Sequence, residues 1–266
     1  MKRNKTLIAG TILFSVLLAA IVVSWLWTPY DPEAFVGSSL EPPSASHIFG
    51  TDNFGRDIFS RVMKGAGTTL TVGLMTVSVG AVVGVSAGAL TAYYGGALDE
   101  LLMRLNDAIT AFPSILLALV IISVLGPEKT SNLVISLGIA FIPSFARVSR
   151  TAFSREKTQN YVISARLMGA GDVRILAVHI LPNTLQVLLP AVTIGFNNAV
   201  LAEASMSYLG IGVSPVDPSL GFMLKASQSY LFTAPWYAVF TGLAIVLMVF
   251  SVGLIGDGIK KSGRSE

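Results

Sequence analysis

Side chains able to do acid–base, nucleophilic or metal chemistry are scarce in this sequence. It has two histidines, His47 and His179, and no cysteine, which excludes disulfides, metal–thiolate sites and a cysteine nucleophile. His47 and Asp52 could hold a metal ion, but two ligands on one loop make a weak site. The alternative is a solvated turn with internal salt bridges. We therefore predict neither a catalytic residue nor a bound metal.

Polar side chains are concentrated in one stretch, residues 161–183, within an otherwise apolar second half. Asp172 follows Gly-Ala-Gly and is predicted to cap a short helix over residues 173–180, its side chain accepting from free backbone N–H groups. Pro182 has no N–H and fits best at the start of a new helix. Before the glycines, three apolar residues recur at helical spacing: Val162, Ala165 and Met168. The stretch is thus predicted to be a helical hairpin, either a docking surface or an ordinary loop.

Glu203 is a lone carboxylate inside a long apolar run. A charged group at membrane depth is costly and usually faces a helix bundle or a water-filled cavity. Glu203 is therefore a candidate pore residue, together with the polar neighbours Asn197, Asn198 and Ser207. The alternative is that Glu203 lies near the outer interface and is merely hydrated.

The elements that carry these residues are membrane helices. The 266 residues are 53% hydrophobic and 12% charged, with a mean hydropathy of +0.70, whereas soluble domains carry about 25% charged residues. The composition predicts an all-α, polytopic membrane protein. The net charge of +3 does not indicate nucleic-acid binding, because surplus Lys and Arg in a membrane protein mark cytoplasmic loops.

Six apolar runs are long enough to cross a bilayer. The third is expected to be kinked, or to start, near Pro113, and the fourth to be interrupted at Pro143. Small residues in the second, among them Gly80, Gly84 and Gly88, would let another helix approach closely. The predicted spans are residues 7–27, 66–93, 101–125, 132–150, 183–209 and 236–255.

The basic residues orient these spans. Thirteen of the 18 Lys and Arg fall in segments assigned to the cytoplasm and five in outer segments. This bias predicts that both termini are cytoplasmic. The first span follows a basic N-terminus and carries Trp25 and Trp27 where interfacial aromatics belong, so we interpret it as an uncleaved span rather than a signal peptide.

Two other classes of function find little support. A membrane enzyme needs a nucleophile–base pair or metal ligands within the spans, and the predicted topology places His47 and His179 on opposite sides. An ion-driven transporter needs coupling-ion groups near mid-membrane, often in an inverted repeat, and Glu203 alone offers little. The chain also lacks a GxxxxGK[ST] phosphate loop, so it is not an ATPase.

The hairpin stretch resembles the "EAA" coupling loop of ABC-importer permeases, in which EAA is followed by three residues, Gly, nine residues and I-x-L-P. Here Ile163-Ser164-Ala165 stands at EAA, Gly169 is kept, and His179 replaces the Ile before Leu181-Pro182. In that family the loop fits a cleft in the ATPase subunit. Arg166 and Arg174 are expected to pair with ATPase carboxylates, or else simply to anchor the loop inside. The resemblance implies these coupling residues: Ser164, Ala165, Arg166, Gly169, Ala170, Asp172, Arg174, His179, Leu181 and Pro182.

The resemblance extends over residues 47–258, nearly the whole chain. It implies the fold of a type I ABC importer permease, with six transmembrane helices and a cytoplasmic coupling-helix hairpin between helices 4 and 5. The run Gly-Thr-Asp-x-x-Gly-Arg-Asp-x-x-Ser-Arg resembles the outer-loop signature of the "C" permease of peptide and nickel importers. That signature covers Gly50, Thr51, Asp52, Gly55, Arg56, Asp57 and Arg61.

The same resemblance implies partners and a location. The chain is expected to form half of a translocation path with a second homologous permease, in a bacterial or archaeal cell membrane, with two ATPase subunits inside and a solute-binding protein outside. It would be non-catalytic and bind no cofactor, since ATP and Mg bind the ATPases. The solute is predicted to be a di- or oligopeptide, the alternative being nickel or a metal chelate. The expected organisation is residues 1–65 as the first span and outer loop, 66–258 as the core permease domain and 259–266 as a cytoplasmic tail.

Overall fold

The structure, a computed structural model, describes residues 4–126, 129–212 and 218–262. The described residues form helices and connecting loops, with an isolated β-bridge between Thr51 and Asp57 in the loop after the first helix. The helices are α1 (Lys5–Leu26), α2 (Ile58–Tyr94), α3 (Gly96–Thr110), α4 (Ser114–Leu125), α5 (Thr130–Lys157), α6 (Asn160–Leu167), α7 (Asp172–Arg174), the π-helical segment Ile175–Ile180, α8 (Leu181–Leu209), α9 (Leu220–Ser227), the 3₁₀ turn Gln228–Tyr230 and α10 (Pro235–Ser262).

Five helices in the described part of the chain are long and apolar enough to cross a membrane: α1, α2, α5, the run Asp172–Leu209 and α10. The amphipathic α3 and the apolar α4 make a sixth if the pair counts as one span, but they meet at 90°. The break falls just before Ser114, because Pro113 cannot continue the hydrogen-bond ladder and disfavours a helical residue before it. The all-α membrane fold and the kink near Pro113 are confirmed.

The predicted interruption of the fourth span at Pro143 is wrong. α5 runs unbroken from Thr130 to Lys157 with Pro143 inside it. Pro143 is buried and its carbonyl accepts a hydrogen bond from Asn106 Nδ2 of α3 at 3.3 Å. This bond joins α3 to α5 through Pro143's own carbonyl, whereas the carbonyl that loses its helical N–H partner is that of Ile139. The helix continues through the proline, as membrane helices packed among neighbours can.

The centre of the fold is the packing of α2 on α5. Three glycines of α2 face α5, and a Cβ atom at Gly84 would lie 2.6 Å from the carbonyl oxygen of Ile142. Backbone and backbone are therefore in direct contact, which only a small residue permits. The predicted close approach at Gly80, Gly84 and Gly88 is confirmed.

The first helix packs along the last. Gly10 of α1 fits against the backbone of α10, and Asn4 Nδ2 donates to the Gly258 carbonyl at 2.6 Å. The beginning of α1 and the end of α10 therefore lie side by side, at one end of the bundle.

Candidate functional site

The hairpin between α5 and α8 begins as predicted. After α6 the backbone turns at Gly169, whose φ of +81° lies in the left-handed region that favours glycine. The amide of Gly169 donates to the Arg166 carbonyl and that of Ala170 to the Ala165 carbonyl, each at 3.0 Å. These bonds close the C-terminal end of α6, so the glycine corner is a built turn rather than a loose loop.

The second limb differs from the prediction in two ways. Asp172 does not cap it, since Gly171 occupies the N-cap position and no side chain caps α7. Nor is α8 a separate helix, because α7, the π-helical segment and α8 form one run, Asp172–Leu209. The prediction that Pro182 lies at the start of a helix is confirmed, since it is in the first turn of α8, after the π-helical turn.

The hairpin packs against the bundle and has an exposed tip. Val162 and Ile175 belong to a buried cluster with Tyr93 of α2, Phe153 of α5 and Leu188 of α8, and Ala165 is buried as well. Leu167, Met168 and Val173, which flank the glycine corner, are 83%, 81% and 78% exposed. We call these three residues the apolar tip. The other predicted coupling residues are exposed (Ser164, Arg166, Gly169, Asp172, Arg174, Pro182) or half-buried (Ala170, His179, Leu181).

Tyr93, the penultimate residue of α2, fastens the hairpin to the bundle and was not identified from the sequence. Its hydroxyl donates to Asp172 Oδ1 at 2.6 Å and accepts from Arg166 Nη2 at 3.3 Å. The Arg166 guanidinium lies 5.5 Å from the centre of the Tyr93 ring. From α5, Lys157 Nζ donates to the carbonyl oxygens of Ala92 and Tyr93 at 3.2 and 2.5 Å. No motif marks this contact, because its partners are more than 60 positions away in sequence.

A second aromatic contact lies at the base of the hairpin. Tyr161 donates to Glu156 Oε2 at 2.7 Å. Partial burial of the phenol, and then its bond to this carboxylate, raises the pKa of Tyr161 to about 12, so the hydroxyl stays a donor at physiological pH.

The outer-loop signature is a buried ionic cage rather than a solvated turn. Asp52 is fully buried and accepts from the amides of Phe54 and Arg56 at 2.8 and 3.0 Å and from Arg56 Nε at 2.7 Å. Arg61 Nε lies 3.6 Å from Asp52 Oδ2, and Arg61 Nη1 donates to the Pro32 carbonyl at 2.7 Å. The predicted internal salt bridges are present, but their burial shows that the solvated-turn interpretation is wrong.

Asp57 connects the cage to α2. Its Oδ2 accepts from the Ser60 amide at 2.8 Å, which caps the first turn of α2, and its Oδ1 lies 3.0 Å from His47 Nδ1. His47 therefore pairs with Asp57 and not with Asp52, and no group of three or more metal-ligating side chains occurs among the described residues. The chain continues from Asp57 directly into α2.

Other members of the signature shape the loop. Gly50 and Gly55 are at its turns, where their amides donate to the carbonyls of His47 and Asp52 at 2.9 and 3.0 Å. Thr51 is buried and its hydroxyl donates to the Ser38 carbonyl at 2.7 Å. The hydrogen bonds from Ser38 also lower the pKa of the neighbouring Glu41 carboxyl.

The candidate pore residues separate into two groups. Glu203 and Ser207 are fully buried, with Ser207 Oγ donating to Glu203 Oε1 at 2.7 Å, beneath α9. Glu203 therefore faces the helix bundle, one of the two environments expected for such a carboxylate, and is not hydrated at an interface. Asn198 lies on the exposed face of α8, and Asn197 is half-buried toward α10.

The open face of α8 forms a continuous groove. Three cavities of about 140, 230 and 590 Å³ lie in series along it and share lining residues. Asn198 joins the first to the second, while Leu201 and Ser205 join the second to the third. We call this the α8 furrow, lined on α8 by Ile194, Asn198, Leu201, Ser205 and Tyr208.

Comparison with known proteins shows which family the chain resembles. Residues 80–262 match the family described as binding-protein-dependent transport system inner membrane component. The chain is 41% identical, over 98% of its length and 87% of the relative's, to a putative peptide transport system permease protein of Brucella suis biovar 1 (strain 1330). It is 38% identical to a dipeptide transport system permease protein of Alkalihalophilus pseudofirmus, covering 98% of this chain and 86% of that protein. It is also 38% identical to a glutathione transport system permease protein of Escherichia coli O6:K15:H31, covering 97% and 86%.

Among solved structures, the inward-facing MetNI methionine ABC transporter resembles this chain with a TM-score of 0.63 and 20% identity, covering 76% of this chain and 95% of that one. This likeness shows the permease fold of a type I ABC importer. Together with the sequence matches, it establishes that the chain belongs to the family of binding-protein-dependent transport system inner membrane components.

Proposed function

We propose that this chain forms half of the translocation path of a peptide importer and couples that path to ATPase subunits through the hairpin of residues 160–182. As the inner-membrane component of a transport system it is non-catalytic, and ATP hydrolysis belongs to a separate subunit. The observation that carries the coupling role is the apolar tip on a hairpin that packs against α2, α5 and α8. The names of the relatives, which transport peptides, dipeptides or glutathione, support the choice of solute.

The tip has the chemistry of a docking surface. Leu167, Met168 and Val173 leave three large apolar side chains exposed at one corner, and burying apolar surface contributes about 25 cal/mol per Å². Of the two arginines expected to meet ATPase carboxylates, Arg166 is already held by Tyr93, whereas Arg174 is exposed beside Val173. We therefore assign pairing with the ATPase to Arg174 and a role inside the hairpin to Arg166.

The proposed assembly contains a second homologous permease in a heterodimer, two ATPase subunits that bind ATP and Mg, and a solute-binding protein outside. No cofactor is assigned to this chain. Both termini are assigned to the cytoplasm. The contact between Asn4 and Gly258, which puts the beginning of α1 and the end of α10 at one end of the bundle, supports this orientation, as does the inward bias of Lys and Arg.

The α8 furrow is the proposed half of the path. The described residues that line its three cavities include no charged side chain, but they present amide and hydroxyl groups from Asn198, Ser205 and Tyr208. Neutral donors and acceptors suit the amide bonds of a peptide, and they offer poor ligands to a nickel ion, which favours imidazole and thiolate. Glu203 is assigned instead to the packing of α8 against α9.

Solute uptake tests the proposal. A strain deleted for this chain and for its other peptide importers is complemented with the chain and its partner subunits, and labelled peptides and nickel are offered in parallel. We expect restored uptake of peptides only. Restoration of nickel accumulation alone would show that the solute is a metal ion or chelate rather than a peptide. Failure of the ATPase subunits to co-purify with the chain would contradict the coupling role.

A further inference from the structure

Three elements of the hairpin region converge on one residue of α2. Tyr93 is 6% exposed, and its hydroxyl contacts Arg166 on α6 and Asp172 on α7. Lys157 at the end of α5 donates to its backbone carbonyl and lies 5.7 Å from the centre of its ring. The ring also belongs to the buried cluster where the hairpin meets the bundle, with Val162 and Ile175. One hydroxyl thus bridges both limbs of the hairpin, accepting from the first and donating to the second.

Short non-helical connections join α6 to α5 and to α7. Two residues, Thr158 and Gln159, separate α5 from α6. Gly169 and Gly171 flank the corner and have no neighbouring heavy atoms within 4 Å of a built Cβ position, so packing does not restrain them. Packing of Val162 and Ala165 holds α6, and the Tyr93 bridge adds the polar contacts that tie both α6 and α7 to α2.

α2 leads from this bridge to the other side of the protein. Its 37 residues form one helix, which at 1.5 Å per residue is about 55 Å long. At its beginning, Asp57 and Arg61 belong to the ionic cage of the outer loop. Along its length, Gly80, Gly84 and Gly88 pack it backbone to backbone against α5, and we call these three residues the glycine seam. The helix therefore has one end in the hairpin and the other in the outer loop.

We propose that Tyr93 is a positioning residue for energy coupling: its hydroxyl locks both limbs of the hairpin to α2, so that displacement of the tip by the ATPases moves the outer-loop cage as well. This inference rests on the proposed coupling role of the hairpin and adds a route by which the ATPase side reaches the outer surface. A purely structural role for Tyr93 would instead affect the amount of folded, assembled complex.

The test uses the assembled complex in lipid nanodiscs, with cysteine-free partner subunits. Because the chain has no cysteine, Ala45→Cys gives a unique label position, on the exposed part of the outer loop. An environment-sensitive fluorophore there reports outer-loop movement when ATP and vanadate are added. In Tyr93→Phe, which keeps the ring and loses both hydroxyl contacts, we expect the response to shrink about five- to hundredfold, the range expected from losing two hydrogen bonds. ATPase subunits should still co-purify in the normal ratio.

Two comparisons separate the bridge from general damage. Tyr94→Phe is the matched control, because Tyr94 is exposed and its hydroxyl reaches Asp172 only at 3.4 Å, so the response should be unchanged. Asp172→Asn keeps an oxygen that accepts from Tyr93 and should retain most of the response, whereas Asp172→Ala should reproduce Tyr93→Phe.

Three results would overturn the inference: a full response in Tyr93→Phe, an equal loss in Tyr94→Phe, or an unmutated chain whose label does not respond to nucleotide. Each is distinct from failure of the proposed function, which would show as absent peptide uptake or absent ATPase co-purification.

Discussion

At the scale of single residues, the hairpin corner depends on the backbone conformation of Gly169 more than on space. A Cβ atom added at Gly169 would have no neighbouring residue within 4 Å, yet the φ of +81° is one that L side chains rarely adopt. A side chain there would strain the turn by about 1–2 kcal/mol and tilt the apolar tip. We expect Gly169→Asp to weaken co-purification of the ATPase subunits while leaving membrane insertion intact.

The chain supplies a matched control for that change. Gly171 lies two residues away, is equally uncrowded and has an ordinary φ of −69° at the N-cap position, where Asp is favoured. Gly171→Asp adds the same charge without the strain. If both variants lost the ATPase subunits equally, charge rather than the shape of the corner would be the cause.

The apolar tip carries a second prediction at this scale. Leu167 is 83% exposed, so truncation should not change the stability of the chain by itself. If it is buried in the ATPase, Leu167→Ala loses about 1.5–3 kcal/mol of docking free energy, or about ten- to hundredfold in affinity. Binding of purified ATPase to the chain in nanodiscs measures the difference, and unchanged affinity would mean that the tip is not in the interface.

At the scale of helices, the glycine seam between α2 and α5 leaves no room for a side chain at Gly84. A methyl group at Gly84 would meet the Ile142 carbonyl at 2.6 Å, so Gly84→Ala must push the helices apart and should destabilise the bundle by about 1–3 kcal/mol. Gly242→Ala in α10 is the control, because no atom lies within 4 Å of its built Cβ position. Thermal inactivation in detergent should separate the two variants, and equal midpoints would contradict the seam.

The helices also show which features a sequence can predict. The kink at Pro113 and the glycine seam follow from local chemistry, since a proline or a row of small residues carries its own constraint. Pro143 misled because α5 continues through it within the packed bundle, whereas Pro182 lies at the start of α8 as predicted. The burial of Arg61 was missed because loop 27–57 folds over the beginning of α2 and supplies a distant partner, the Pro32 carbonyl.

At the scale of the whole molecule, the proposed path and the proposed coupling surface are separate parts joined by α8. The α8 furrow uses one face of that helix, and the hairpin continues its N-terminal end through the π-helical segment. The sequence indicated Glu203 as the pore group because a carboxylate stands out in an apolar run. The structure buries it beneath α9 and leaves the less conspicuous Asn198 on the open face.

This arrangement predicts that transport can be lost without loss of assembly. Asn198→Leu removes the amide that joins two of the furrow cavities, and losing one hydrogen bond to a passing peptide should lower the uptake rate about two- to tenfold. ATPase co-purification should stay normal, since the hairpin is untouched.

Ser78→Leu is the control and should transport normally. Ser78 is an exposed polar residue on α2 whose hydroxyl bonds its own helix at 2.7 Å. Equal uptake by the Asn198 variant and the unmutated chain would place the path on another face, and the half-buried Asn197 beside α10 would then be the next position to change.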